Sequence, residues 1–157
     1  MTSTMRKIVI GLGVAALVLL GAYAVGLFDS SEQSKVAAGQ CASISGAADA
    51  PRFTELDCGS DQANVKVAKV VDQGACPTGG AGYSTYTSGV TFCLMPNFVE
   101  GSCYTQDQEA GLLKVPCGTA GSVKVAKVLG GGAACGEQRT VAFPEPPVTF
   151  CLAEGDA

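Results

Sequence analysis

The hydrophobic and polar positions divide the chain near residue 28. Ile8 to Phe28 form an uncharged, predominantly apolar run of 21 residues, preceded by Arg6 and Lys7. As a helix rising about 1.5 Å per residue, such a run spans the roughly 30 Å hydrocarbon core of a bilayer. The pattern predicts a transmembrane signal anchor over 8–28. Arg6 and Lys7 would keep residues 1–7 cytoplasmic and place the remainder outside the cell membrane. The competing reading is a signal peptide, because Ala22-Tyr23-Ala24 resembles a small-x-small cleavage site, and cleavage near Ala24 would release a secreted protein. The apolar run continues through Val25, Leu27 and Phe28, which favours the anchor. Gly11, Ala15, Ala22 and Gly26 lie along one stripe of that helix, with Val18 among them, a spacing that lets a partner helix approach closely. Gly and Ala are common in membrane helices generally, and that plainer explanation is preferred.

Beyond a polar linker at 29–35 the pattern changes to short apolar stretches broken by turn-formers, and it occurs twice. Val65-Lys66-Val67-Ala68-Lys69-Val70 returns letter for letter at Val123 to Val128, and Val90-Thr91-Phe92-Cys93-Leu94 returns at Val148 to Leu152. Gly39-Gln40-Cys41 corresponds to Gly101-Ser102-Cys103, and Cys58-Gly59 to Cys117-Gly118. A period of about 60 residues defines a first copy at 36–97 and a second at 98–153. Within each, β-branched segments predict strands at Val65 to Val71, Val90 to Leu94 and Phe53 to Asp57, with counterparts at Val123 to Leu129, Val148 to Leu152 and Leu112 to Val115. Four or five strands per copy are expected, with at most one helical turn near Ser60 to Asn64. The expected fold class is therefore a transmembrane helix followed by two tandem disulfide-stapled units, mainly β or α+β.

Composition narrows the chemistry. The 157 residues include no His, which removes the commonest general base and metal ligand and every Ser-His or Cys-His arrangement. The net charge is −4, and residues 29–157 alone carry 8 basic and 14 acidic side chains, a net of −6. That balance lacks the basic footprint of a nucleic-acid binder. The 8 Cys are spaced too widely for a zinc knuckle or a Cys-x-x-Cys redox pair, so an exported chain should use them in disulfides. The favoured pairing is first to second and third to fourth in each copy: Cys41–Cys58, Cys76–Cys93, Cys103–Cys117 and Cys135–Cys151. First to fourth with second to third is the runner-up. With only 6% aromatic residues and about 60 residues per unit, such bridges are needed for stability.

The order of Gly-x-Cys, Cys58-Gly59, the Lys66 to Val70 run, Cys76-Pro77, Tyr83, Tyr86 and Phe92-Cys93-Leu94 resembles the LppU-like family of small actinobacterial cell-envelope proteins. The resemblance covers nearly all of copy one, and copy two looks like a diverged second unit. It implies an exported location and a fold rather than an activity. Gln40 and Ser102 stand where the family often has Asp, so no role tied to that Asp carries over.

Candidate chemistry is sparse. Glu55 and Asp57 lie two apart at a strand end and would point the same way, a pattern open to acid–base work or calcium binding. Copy two has Lys114 and Pro116 there, which favours a solvated strand face. Gly79 to Gly82 and Gly130 to Gly132 open no Lys-Ser/Thr helix and make poor phosphate cradles. Lys66, Lys69, Lys124 and Lys127 read as charges that blunt strand edges. The copies diverge most between their third and fourth cysteines, where Tyr83, Tyr86, Arg139 and Phe143 are candidate interaction residues on loops; for Tyr83, Tyr86 and Phe143 the plainer reading, that they cover a small core, is preferred. The expectation is a non-enzymatic envelope binding module without a cofactor, meeting an envelope or membrane protein partner. The alternative is a structural or assembly subunit whose transmembrane helix contacts a membrane protein complex.

Overall fold

The repeated valine run explains the architecture. In Val65-Lys-Val-Ala-Lys-Val70, strict alternation would bring Lys69 to the same side as Val65 and Val67. In the computed structural model, which describes residues 36–155, the strand instead carries a bulge. Val67 pairs with Leu94 and Lys69 with Cys93, leaving Ala68 unpaired. The extra residue reverses the alternation, so Val70 joins Val65 and Val67 in one apolar cluster. Copy two repeats the device, with Val125 opposite Leu152, Lys127 opposite Cys151, and Ala126 between them.

Each copy is one five-stranded antiparallel sheet. In copy one the strands are β1 (Cys41–Ser45), β2 (Arg52–Leu56), β3 (Val65–Val71), β4 (Ser84–Ser88) and β5 (Val90–Pro96), in the order β2-β1-β3-β5-β4. In copy two they are β6 (Cys103–Asp107), β7 (Gly111–Val115), β8 (Val123–Gly130), β9 (Arg139–Pro144) and β10 (Pro147–Glu154), in the order β7-β6-β8-β10-β9.

The fold class is all-β, which corrects the expected one. Among the described residues no helix occurs, and none is therefore long and apolar enough to cross a membrane. The α+β option and the helical turn at Ser60 to Asn64 are replaced by turns in which Ser60 N–H donates to Asp57 O and Ala63 N–H to Ser60 O. The helix expected over 8–28, with its Gly11, Ala15, Ala22 and Gly26 stripe, lies outside the described residues. A second correction concerns the lysines. β3 and β8 are the central strands of their sheets, so Lys66, Lys69, Lys124 and Lys127 do not blunt an edge.

All eight cysteines are paired: Cys41 with Cys58, Cys76 with Cys93, Cys103 with Cys117, and Cys135 with Cys151. Each bridge joins a strand beside the central one to the chain flanking the edge strand. Cys41 on β1 reaches the segment after β2, and Cys93 on β5 reaches the segment before β4. Closing loops of 14 to 17 residues stabilises the fold by about 3 kcal/mol per bridge on the chain-entropy account.

The two cores are closed differently. In copy one Phe53 on β2 and Tyr86 on β4 sit on opposite edge strands, which a flat sheet would separate by roughly 19 Å. Their ring centroids are 5.1 Å apart, and both rings stack near Phe92. The sheet must curl until its edges meet over Val67, Phe92 and Leu94. Copy two has Leu112 and Val141 at the corresponding places, too little to close the same space. Its core of Tyr104, Val125, Phe143, Phe150 and Leu152 is completed by Ala68 and Met95 of copy one, with Tyr83, Ala81 and the connecting Phe98 packed against it. Phe98 meets Tyr104 and Phe150 edge-on at 5.1 and 5.2 Å. Along β5, Phe92 and Leu94 therefore serve the first core and Met95 the second.

Met95→Ala should lower stability by about 2–5 kcal/mol, the usual cost of a large-to-small core change. Hydrogen exchange resolved by residue should show faster exchange in β8 and β10 of copy two. Loss of protection confined to copy one would contradict the shared core.

Candidate functional site

Of the four candidate interaction residues, three are used in packing. Tyr86 belongs to the copy-one aromatic stack. Tyr83 and Phe143 meet each other, with ring centroids 5.0 Å apart, at the joint between copies. The Tyr83 hydroxyl donates to Glu145 O at 2.7 Å and accepts from Glu145 N–H at 3.0 Å. Ala81 N–H donates to Ala142 O on β9, and a Cβ at the neighbouring Gly80 would come within 2.5 Å of that same oxygen. Only a glycine lets the chain approach so closely. The segments expected as free loops thus supply strands β4 and β9 and the seam between the sheets. Arg139, at the start of β9, is the one candidate left exposed.

The other end of the joint is built on Asn64, which is 6% exposed. Its Oδ1 accepts from Ile44 N–H, and its Nδ2 donates to Ile44 O and to Ala110 O of copy two, all at 2.8 Å. Gly46 N–H donates to Glu109 O at 2.8 Å. The β6–β7 turn that receives these contacts is shaped by Asp107, whose carboxylate accepts from Ala110 N–H and Glu109 N–H. Those two bonds hold its carboxyl below the usual carboxylate range. Asp61 and Lys114 pair across the copies at 2.8 Å, and the hydrogen bond that the Lys114 ammonium donates to the Asp61 carboxylate raises its pKa above the ordinary value. Lys69 pairs with Glu145 at 3.0 Å, with both side chains substantially exposed.

The expected carboxylate pair does not form. β2 ends at Leu56, before Asp57, so the two side chains do not share a strand face. Asp57 accepts from Gly59 N–H at 2.8 Å as a turn cap, and Glu55 is exposed on an edge strand. Among the described residues no group of three or more His, Cys, Asp or Glu converges as a metal site.

A groove of about 700 Å³ lies on copy two, lined by Gly121 to Val123, Glu137 to Arg139 and Leu152 to Glu154. Its lining mixes Val123, Leu152 and Ala153, of which Val123 and Leu152 also pack into the copy-two core, with the exposed charged residues Glu137, Arg139 and Glu154. Strand register shows what it corresponds to in copy one. Val123 pairs with Glu154 as Val65 pairs with Pro96, and Arg139 pairs with Leu152 as Ser84 pairs with Leu94. The copy-one equivalents Asn64, Val65, Ser84, Met95 and Pro96 share a cleft of about 180 Å³ with Gln106, Gly111 and Leu112 of the β6–β7 hairpin. Copy two has Ser122 in place of Asn64, Arg139 for Ser84, Ala153 for Met95 and Glu154 for Pro96. No described residue covers it there. Ser122 is 4% exposed, its Oγ has no hydrogen-bond partner, and a Cβ at Gly155 would overlap it.

The candidate residues pointed to loops, whereas the groove is made largely by strand ends. Its signal was the change of residue immediately beside the identical runs: Asn64 against Ser122, and Met95-Pro96 against Ala153-Glu154. No protein-family model, curated protein or solved structure matches the chain.

Asn64→Ala strands polar groups at both hairpins and should cost about 1–3 kcal/mol. Lys69→Ala removes an exposed ion pair and should cost under about 1 kcal/mol. Denaturant midpoints of the two variants check this, and equal losses would contradict the assignment of Asn64 as the anchor of the joint.

Proposed function

We propose that this protein is a non-catalytic binding module of an oxidising, extracytoplasmic compartment, and that it engages a macromolecular partner through the copy-two groove. The observation that carries the reading is the groove itself: an open surface edged by Glu137, Arg139 and Glu154, at the position where copy one holds the β6–β7 hairpin through Asn64. Complete cysteine pairing supports the compartment, since structural disulfides persist where thiols are not kept reduced. The uncharged run from Ile8 to Phe28 supports export, and the LppU-like order of motifs supports a cell-envelope setting.

Two features favour binding over chemistry. The groove pairs no nucleophile with a base, because its hydroxyl, Ser122 Oγ, is sealed beneath Gly155 and the chain has no His. Its carboxylates, Glu137 and Glu154, are both exposed, without the burial that would tune one as an acid. What remains is shape, apolar area and charge, which serve recognition.

A photo-crosslinking residue at Gln138 of the full-length chain, made in the cells that carry it, should capture a discrete macromolecular partner. Ala153→Trp, which fills the groove, should abolish that capture. Equal capture from Thr54 on the exposed β2 edge, or capture unaffected by the filled groove, would overturn the reading.

A further inference from the structure

The four edge strands of the two sheets are not protected alike. β2 carries Arg52 and Glu55, and β7 carries Lys114 in its ion pair with Asp61. β9 carries Arg139 and ends at Pro144, and its Ala142 O already accepts from Ala81 N–H. Charges, proline and covering chain are the usual means by which an exposed edge is kept from pairing with another molecule. β4, Ser84-Thr85-Tyr86-Thr87-Ser88, has none of them. Its Ser and Thr side chains are all exposed, and no charged residue lies between Asp72 and Glu100 in the sequence. The strand pairs only with β5. β2 approaches it through Phe53, whose ring stacks on both Tyr86 and Phe92 over the core. Among the described residues no backbone hydrogen bond joins β2 to β4. Ser84 borders the cleft beside the β6–β7 hairpin and is still exposed.

We propose that β4 pairs with β4 of a second copy of this chain, antiparallel and about a two-fold axis through Tyr86. The strand reads the same in both directions, so this register sets Ser84 against Ser88, Thr85 against Thr87 and Tyr86 against its own counterpart. Every cross-strand pair is then like with like, and none brings two charges together. Tyr86 lies on the core face opposite Phe92, which puts Thr85 and Thr87 on the outer face, opposite Cys93 and Thr91. On that face the Thr87 and Thr91 hydroxyls already meet across the hairpin at 3.2 Å. Pairing continues the same contact from Thr87 to Thr85 of the second copy, and Thr–Thr pairs of this kind stabilise a ladder. Net charge selects the same surface. Residues 29–157 carry a net of −6, so two copies repel each other, and they repel least through a face without charge. A ladder of five residues falls short of the area of a permanent interface, so the dimer is transient and depends on local concentration. The contact uses β4 on both molecules and closes at two copies. It lies apart from the copy-two groove and does not depend on it.

The test uses the full-length chain in the cells that make it, with a photo-crosslinking residue at Ser88 and two distinguishable tags. The expected product joins two copies, linking position 88 of one to the 83–86 segment of the other. Thr85→Glu with Thr87→Glu sets like charges opposite each other in this register and should lower the yield at least about fivefold. Thr85→Lys with Thr87→Glu sets opposite charges there and should restore it. Both positions are exposed on the outer face, and an intact disulfide pattern checks that the variants fold. A two-copy product undiminished by the paired Glu changes overturns the pairing, and one not restored by the Lys and Glu pair overturns the register. Capture of a different protein in place of a second copy, or no capture at all, overturns self-pairing. The groove reading is tested separately from Gln138 and is untouched by any of these results.

Discussion

Shortage of apolar volume governs this structure. Each copy has a single sheet of about 60 residues, and a sheet must bury its apolar face against something. A unit of that size buries too little surface to be comfortably stable alone. Copy one solves the problem by curling, so that Phe53 and Tyr86 from opposite edges cover Val67, Phe92 and Leu94. Copy two has no aromatic pair to do the same and borrows Met95, Ala68 and Tyr83 from its neighbour, with Phe98 as the wedge between them. The disulfides tie the chain flanking each edge strand to the strand beside the centre of the sheet. The copies share their sequence runs, yet they are unequal partners in packing.

That inequality produces the groove. The joint consumes one surface of copy one, where Asn64 holds the β6–β7 turn and Tyr83 holds the β9–β10 turn. The same surface recurs on copy two because the strands that make it are repeated almost letter for letter. Its contact residues are not repeated. Small and charged side chains stand where the long or apolar ones stood, and the surface is left concave, charged at the rim and uncovered by any described residue. In repeat proteins an end unit commonly differs from an inner one in just this outward surface. Here the difference leaves space as well as polarity.

How much of this was legible in the sequence differs by level. The repeat, the strands at Val65 to Val71 and Val90 to Leu94, and a strand count of four or five per copy follow from letter identities and β-branched runs. β1, β4, β6 and β9 were harder to see. Cys41 to Ser45 and Ser84 to Ser88 are built of small and hydroxyl-bearing residues whose strand character comes from their neighbours rather than from propensity. The bulge at Ala68 was hidden for a related reason, since a strict alternation rule places Lys69 on the wrong side and makes a central strand look half exposed. Tyr83, Tyr86 and Phe143 stand out in the sequence because the copies diverge around them, and their packing follows the core-covering reading, since a chain with so few aromatics has to spend them inside. Residue-by-residue comparison of the copies beside their identical runs holds the signal for the groove, which becomes readable only once strand register shows which positions are equivalent.

The central claim is that the two copies fold as one body around a shared core. Native-state hydrogen exchange across a denaturant series, with the disulfides intact, tests it most directly. One common opening free energy for the most protected amides of β3, β5, β8 and β10 is the predicted result. Two well-separated values, with copy two retaining full protection after copy one has opened, would contradict it.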